Sequence, residues 1–154
     1  MYGLETYLKN TLPLVFPPMA LPSEISICDY ETPGFYGVLA EDVSSDLFHC
    51  SDAFEWFTVA GFIYYYPALI RNSFINLKNC SAAIDSMIYA LNECFESYGE
   101  CFSIKEKWNS FSKEQLIYIG KWLLWVKKKD KSFECESFYN AMETIRLMVM
   151  GLKL

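Results

Sequence analysis

The stretch Thr58-Val-Ala-Gly-Phe-Ile-Tyr-Tyr-Tyr-Pro-Ala-Leu-Ile-Arg-Asn-Ser-Phe74 decides the fold class of this 154-residue chain. Within it Phe62, Tyr65, Tyr66, Leu69, Ile70 and Phe74 recur at helical spacing, which stacks them into one apolar stripe on an α-helix. Thr58 stands just before the stripe, where a hydroxyl can accept from the first unbonded backbone N–H groups, so it reads as the helix cap. Pro67 falls inside the stripe. It lacks an N–H and its ring crowds the carbonyl four residues back, so a kink or a restart is expected there.

The same period extends to both sides. Leu4, Tyr7, Leu8 and Leu12 open the chain as a short amphipathic helix, which Pro13 is expected to end. Pro13-Leu-Val-Phe-Pro-Pro-Met-Ala-Leu-Pro22 then predicts an extended segment, pinned to the core by Phe16, Met19 and Leu21. Ser23 to Cys28 alternates weakly and suggests a short strand with no evident partner. Phe35, Val38 and Leu39 suggest a turn or short helix. Ser44 or Ser45 can cap the next helix, carrying Leu47, Phe48, Ala53 and Phe54.

Beyond the deciding stretch, Ser81 is expected to cap a helix bearing Ile84, Met87, Ile88, Leu91 and Phe95, closed by Gly99. Ser112 and Gln115 form a capping box for a helix through Leu116, Ile119, Leu123 and Leu124. Tyr118, Trp122 and Trp125 widen its apolar face, so it is expected to be central. Lys127, Lys128 and Lys129 at its end complement the helix dipole. Ser132 is expected to cap a last helix with Phe138, Met142, Ile145 and Val149. The expectation is an all-α, single-domain irregular helical bundle over residues 1–154, with an extended Pro-rich N-terminal segment.

Composition narrows the class further. Twelve Phe, eleven Tyr and four Trp, with 53% apolar residues, exclude bulk disorder. The start lacks the basic and apolar regions of a secretory signal. The cysteines at 28, 50, 80, 94, 101 and 135 therefore read as reduced thiols, mostly small core residues. The most apolar run, Leu116 to Val126, is interrupted by Lys121 and falls short of the roughly 20 residues a membrane span needs. A cytoplasmic protein is expected.

Catalytic and cofactor motifs are missing. The single histidine, His49, would have to serve any Ser-His or Cys-His pair, and its neighbour Cys50 points elsewhere on a helix. No two cysteines stand at CxxC spacing, and the seven glycines form no phosphate-binding loop. The run Lys127-Lys-Lys-Asp-Lys131 is short and partly acidic, and a pI near 4.8 argues against nucleic acid. The chain is expected to be no enzyme and to hold no metal or cofactor.

One feature carries functional information. Between Lys9 and Arg71 there is no Lys or Arg, while Glu24, Asp29, Glu31, Glu41, Asp42, Asp46, Asp52 and Glu55 fall in that interval, a net of −8. Residues 71–154 hold twelve basic and ten acidic residues, a net of +2, and the chain as a whole carries −6. Folded onto one side, the acidic stretch would repel nucleic acid and speed encounter with a basic protein. Its carboxylates are interleaved with Tyr30, Phe35, Tyr36 and Phe48, and aromatic anchors ringed by charge suit a binding hot spot.

The residues from Phe54 to Ile70 also resemble a bacterial helical family of unknown function, whose hallmark reads Phe-Leu-Thr/Ser-Pro-Glu-Ala-Phe-Arg-Tyr-Tyr-Leu-Pro-Ala-Phe. Thr58 matches the helix cap, Phe62 the aromatic, and Tyr65-Tyr66-Pro67-Ala68 the Tyr-Leu-Pro-Ala core. Trp108-Asn-Ser-Phe-Ser-Lys-Glu-Gln-Leu116 resembles the family's Phe-Thr-Pro-Glu-Gln helix start. This sequence departs at Val59-Ala60-Gly61, in place of Pro-Glu-Ala, and at Ile63, in place of Arg. The resemblance implies a helical fold and supplies no activity.

The expected function is a non-enzymatic protein-binding protein, a bacterial immunity protein that neutralises a basic toxin domain such as a nuclease. The expected contact residues are Asp29, Tyr30, Glu31, Tyr36, Glu41, Asp42 and Asp46. Two other readings stand beside it: a regulatory or structural interaction module with no toxin partner, and an enzyme using carboxylates with tyrosine hydroxyls.

Overall fold

Seven α-helices form in the described residues, and no strand does. They are α1 (Gly3–Val15), α2 (Ala53–Trp56), α3 (Val59–Ser73), α4 (Leu77–Glu93), α5 (Phe102–Asn109), α6 (Lys113–Lys129) and α7 (Glu136–Val149). The computed structural model describes residues 3–27, 32, 34–49, 53–93 and 102–154, with the backbone alone at 93, 102 and 103. The chain divides into two compact units, residues 18–87 and residues 1–17 together with 88–154.

In the unit of residues 1–17 and 88–154, α6 packs against both α1 and α7. Its start is the expected capping box. The Ser112 hydroxyl accepts from Gln115 N at 3.2 Å, and the Gln115 carboxamide accepts from Ser112 N at 2.9 Å. Tyr118, Ile119, Trp122, Leu123, Trp125 and Val126 are buried, which makes α6 the central helix of this unit. Gly120 faces α7, where a Cβ would make ordinary van der Waals contact with Ile145 at 3.7 Å.

Helix α1 continues through Pro13 to Val15 instead of ending before it. A proline in the last turn forfeits one bond, and the turn closes with Phe16 N donating to Leu12 O at 2.8 Å. Phe16 is buried edge-on against Phe111 and Tyr118, contacts worth about 0.5–1.5 kcal/mol each beyond their area. The Tyr118 hydroxyl donates to Leu8 O at 2.6 Å, and Gln115 donates to Val15 O at 3.3 Å. Tertiary contacts thus carry the helix past the residue that local rules would stop at.

In the unit of residues 18–87, α3 is the axis. Thr58 caps it as expected, accepting from Gly61 N at 3.0 Å. The helix runs through Pro67 without a restart. Phe62, Tyr65, Tyr66, Leu69 and Ile70 are all buried. The expected strand at 23–28 is a single antiparallel bridge, Ser26 to Phe57. Two bonds flank it: Ile27 N donates to Trp56 O at 2.8 Å, and Thr58 N donates to Ile25 O at 2.9 Å. The bridge explains Gly61, because a Cβ at that position would fall on the carbonyl oxygen of Ile25.

Other boundaries moved for local reasons. Residues 45–48 form a separate 3-10 turn, and Ser44 before it makes no side-chain capping bond. Helix α4 begins at Leu77, four residues before Ser81, because Asn76 accepts from Asn79 N at 3.2 Å. Ser132 lies inside a 3-10 turn, Lys131–Phe133, whose cap is Asp130; α7 starts after Cys135. Phe95 and Gly99, read as the end of α4, lie outside the described residues.

Candidate functional site

Four polar-tipped side chains of α3, one of them in the apolar stripe, reach for backbone. Tyr65 Oη lies 2.8 Å from both Phe35 O and Val38 O, sharing one proton between two carbonyls. The Tyr64 hydroxyl accepts from Ala40 N at 3.2 Å. One helical repeat further on, Arg71 Nη2 donates to Ala40 O at 2.6 Å and to Val43 O at 3.3 Å. Asn72 Nδ2 donates to Val43 O and to Ala68 O, both at 2.9 Å. Residues 64, 65, 71 and 72 share one face, so four side chains grip the backbone of residues 35–43.

That grip shapes what the segment presents. Gly37 adopts φ +68, a left-handed turn that suits glycine. Phe35, 1% exposed, drops into a ring cluster with Phe57 and Tyr65, centroids 5.1 Å from each. Tyr36, next in sequence, is 52% exposed. The following 3-10 turn, Ala40–Asp42, exposes both Glu41 and Asp42. Burial pushes the Tyr65 hydroxyl up to about 12, with neighbouring Tyr64 adding to the shift, so it stays a donor across the physiological range.

Of the seven residues singled out as contacts, Asp29, Tyr30 and Glu31 lie outside the described residues. Tyr36, Glu41, Asp42 and Asp46 are exposed. Asp46 does not simply project outward: its Oδ1 accepts from Asn79 Nδ2 at 2.9 Å in the first turn of α4. Phe35 and Phe48, read as possible anchors, are core residues, and Phe48 is 0% exposed. A phenyl ring beside a carboxylate in sequence is free to point inward when the backbone turns between them.

The acidic stretch does not gather at one point. Glu24 and Glu55 belong to the chain flanking the start of α3, where the Thr58 hydroxyl donates to Glu24 O at 2.9 Å. Glu41 and Asp42 lie by Arg71 in its last turn. Thirteen residues of helix separate Thr58 from Arg71, roughly 20 Å at 1.5 Å per residue. Carboxylates near a helix start are stabilised by its dipole, and those near its end are not. The Glu55 carboxylate accepts from the Ser86 hydroxyl of α4 at 3.2 Å.

Cations sit differently around these groups. Arg71 carries opposing influences: burial lowers its pKa, while Glu41 and Asp42 raise it. The ion pairs seen between described residues join Glu5 to Lys9 and Lys129, Glu134 to Lys127 and Lys131, and Glu143 to Arg146. All of those carboxylates belong to residues 1–17 and 88–154. By unit, residues 18–87 hold nine acidic and two basic residues, net −7; the remainder holds ten acidic and eleven basic, net +1.

Other chemistry is sparse. Among the described residues no three His, Cys, Asp or Glu side chains come together as a metal site. No described helix is long and apolar enough to cross a membrane. His49 is exposed and ends the 45–48 turn, its N–H donating to Asp46 O at 3.2 Å. Burial pushes the Cys80 thiol up to about 12, so it is an unreactive packed group, while Cys135 is exposed.

Arg71, Tyr64 and Asn72 were not singled out from the sequence. One signal was present: Arg71 is the first cation after a long cation-free interval, and it stands seven residues after Tyr64 on one helix face. No family model, no curated protein and no solved structure matches this chain.

Proposed function

We propose that this chain is a non-enzymatic, cytoplasmic protein-binding protein, a bacterial immunity protein that captures a cognate basic toxin domain, such as a nuclease. The docking surface is the acidic turn at the end of α3, with Glu41 and Asp42 as its charged centre, Tyr36 as an aromatic anchor and Asp46 at its edge.

The observation that carries this reading is the segregation of charge between the two compact units, −7 against +1. A negative field confined to one unit steers a basic protein toward that unit and repels nucleic acid. Glu41 and Asp42 are exposed beside the negative end of a helix dipole, which strengthens the local field. The backbone behind them is held by three side chains, Tyr64, Arg71 and Asn72, so little ordering is left to pay for on binding.

Isothermal titration of the full chain with any basic toxin-like protein encoded beside its gene tests the reading. The expected result is a 1:1 complex whose affinity falls steeply as salt rises. Absence of binding at low salt overturns it.

A further inference from the structure

We propose that Arg71 is the positioning residue of the acidic turn: it fixes the backbone that presents Glu41 and Asp42, and its charge sets how negative that turn is. This rests on the docking surface proposed above. Arg71 Nη2 spans the turn, bonding the carbonyl of its first residue, Ala40, at 2.6 Å and that of Val43, just past its end, at 3.3 Å. The turn itself is closed by Asp42 N donating to Leu39 O at 2.9 Å. A 3-10 turn of three residues has little intrinsic stability, so its geometry is set by what holds its ends.

Each neighbour does a narrower task. Of the turn's backbone, Asn72 meets Val43 O at one end and Tyr64 meets Ala40 N at the other. Arg71 alone among them carries charge and reaches both ends. A guanidinium is suited to this because its donors diverge in a rigid plane, whereas an ammonium is a point donor on a flexible stem. The same cation, half-buried behind two exposed carboxylates, offsets part of their field. Removing it should therefore loosen the turn and make the surface more negative together. These two consequences act on binding with opposite signs.

The test uses the full chain and two variants, Arg71→Lys and Arg71→Met. Amide exchange is read without any partner. In Arg71→Met the Asp42 amide should exchange about tenfold faster, the effect of losing a charge-assisted hydrogen bond, while Leu116 in α6 is unchanged. Arg71→Lys should fall between. Unchanged exchange at Asp42 in Arg71→Met overturns the proposal.

Binding is then read by surface plasmon resonance with an oligolysine peptide as the basic probe. Arg71→Met should associate roughly twofold faster at low salt, because one cation is gone, and dissociate faster because the turn is loose. Arg71→Lys should keep the association rate and lose only residence time. A purely structural role would not speed association, so slower or unchanged association in Arg71→Met overturns the charge role. The double variant Glu41→Gln/Asp42→Asn separates the two proposals: if it binds oligolysine like the parent, the docking reading fails, whatever exchange at Asp42 shows.

Discussion

Carboxylates are spent differently in the two units. In residues 1–17 and 88–154, Glu5 ties α1 to α6: it sits 2.7 Å from Lys9 and 3.0 Å from Lys129, and it accepts from Trp125 Nε1 at 3.2 Å. Those lysines, Lys9 first, hold its carboxyl at about 2. In residues 18–87, Glu41 and Asp42 face solvent, and Arg71 beside them directs its donors to backbone carbonyls instead. One unit uses acid groups as internal ties. In the other, Asp46 and Glu55 accept from Asn79 and Ser86, while Glu41 and Asp42 stay outward and Arg71 holds the chain beneath them.

If charge alone separates the units, deleting core aromatics should hurt both alike. Phe57→Ala and Trp122→Ala are each expected to cost about 3–5 kcal/mol in urea unfolding, since both side chains are buried on all sides. A much smaller loss in either would show that one unit packs more loosely, and the comparison would then be about density as well as charge.

Gly61→Ala comes next, at about 1–3 kcal/mol, from forcing a methyl group onto Ile25 O. Its damage should stay local. Exchange should accelerate at Ile27 and Thr58, whose amides flank the bridge, and remain unchanged at Leu116. Uniform acceleration across the chain would mean the two units do not respond separately.

Glu5→Gln sharpens the contrast at lower energy. Because the pair is partly exposed, its loss at neutral pH should be under about 1 kcal/mol. The folded carboxyl is depressed from 4.5 to about 2, so its contribution is present above about 4.5 and fades as pH falls toward 2. Thermal melts of the parent and Glu5→Gln should accordingly differ at neutral pH and converge near pH 2.

The smallest stability effect belongs to Glu41→Gln/Asp42→Asn, expected within about 0.5 kcal/mol of the parent, as for surface changes generally. Its effect should appear in association with the basic probe, which slows and loses much of its salt dependence. A destabilised double variant would place these carboxylates with Glu5 as structural groups and remove the distinction.

The sequence by itself determined where α3 and α6 begin and which faces they bury, because period and caps are local. The stripe from Phe62 to Phe74, the Thr58 cap, the Ser112–Gln115 box and the central aromatic face of α6 all follow from spacing and short-range hydrogen bonding. It also determined the charge imbalance, which is only arithmetic. Tertiary structure decided the rest. Whether Pro13 ends a helix depended on where Phe16 could be buried. Whether Phe35 was an anchor or core depended on a turn that sends it to Tyr65 and leaves Tyr36 outside. The role of Arg71 depended on carbonyls some thirty residues away in the chain, and no local pattern encodes which distant backbone a guanidinium will find.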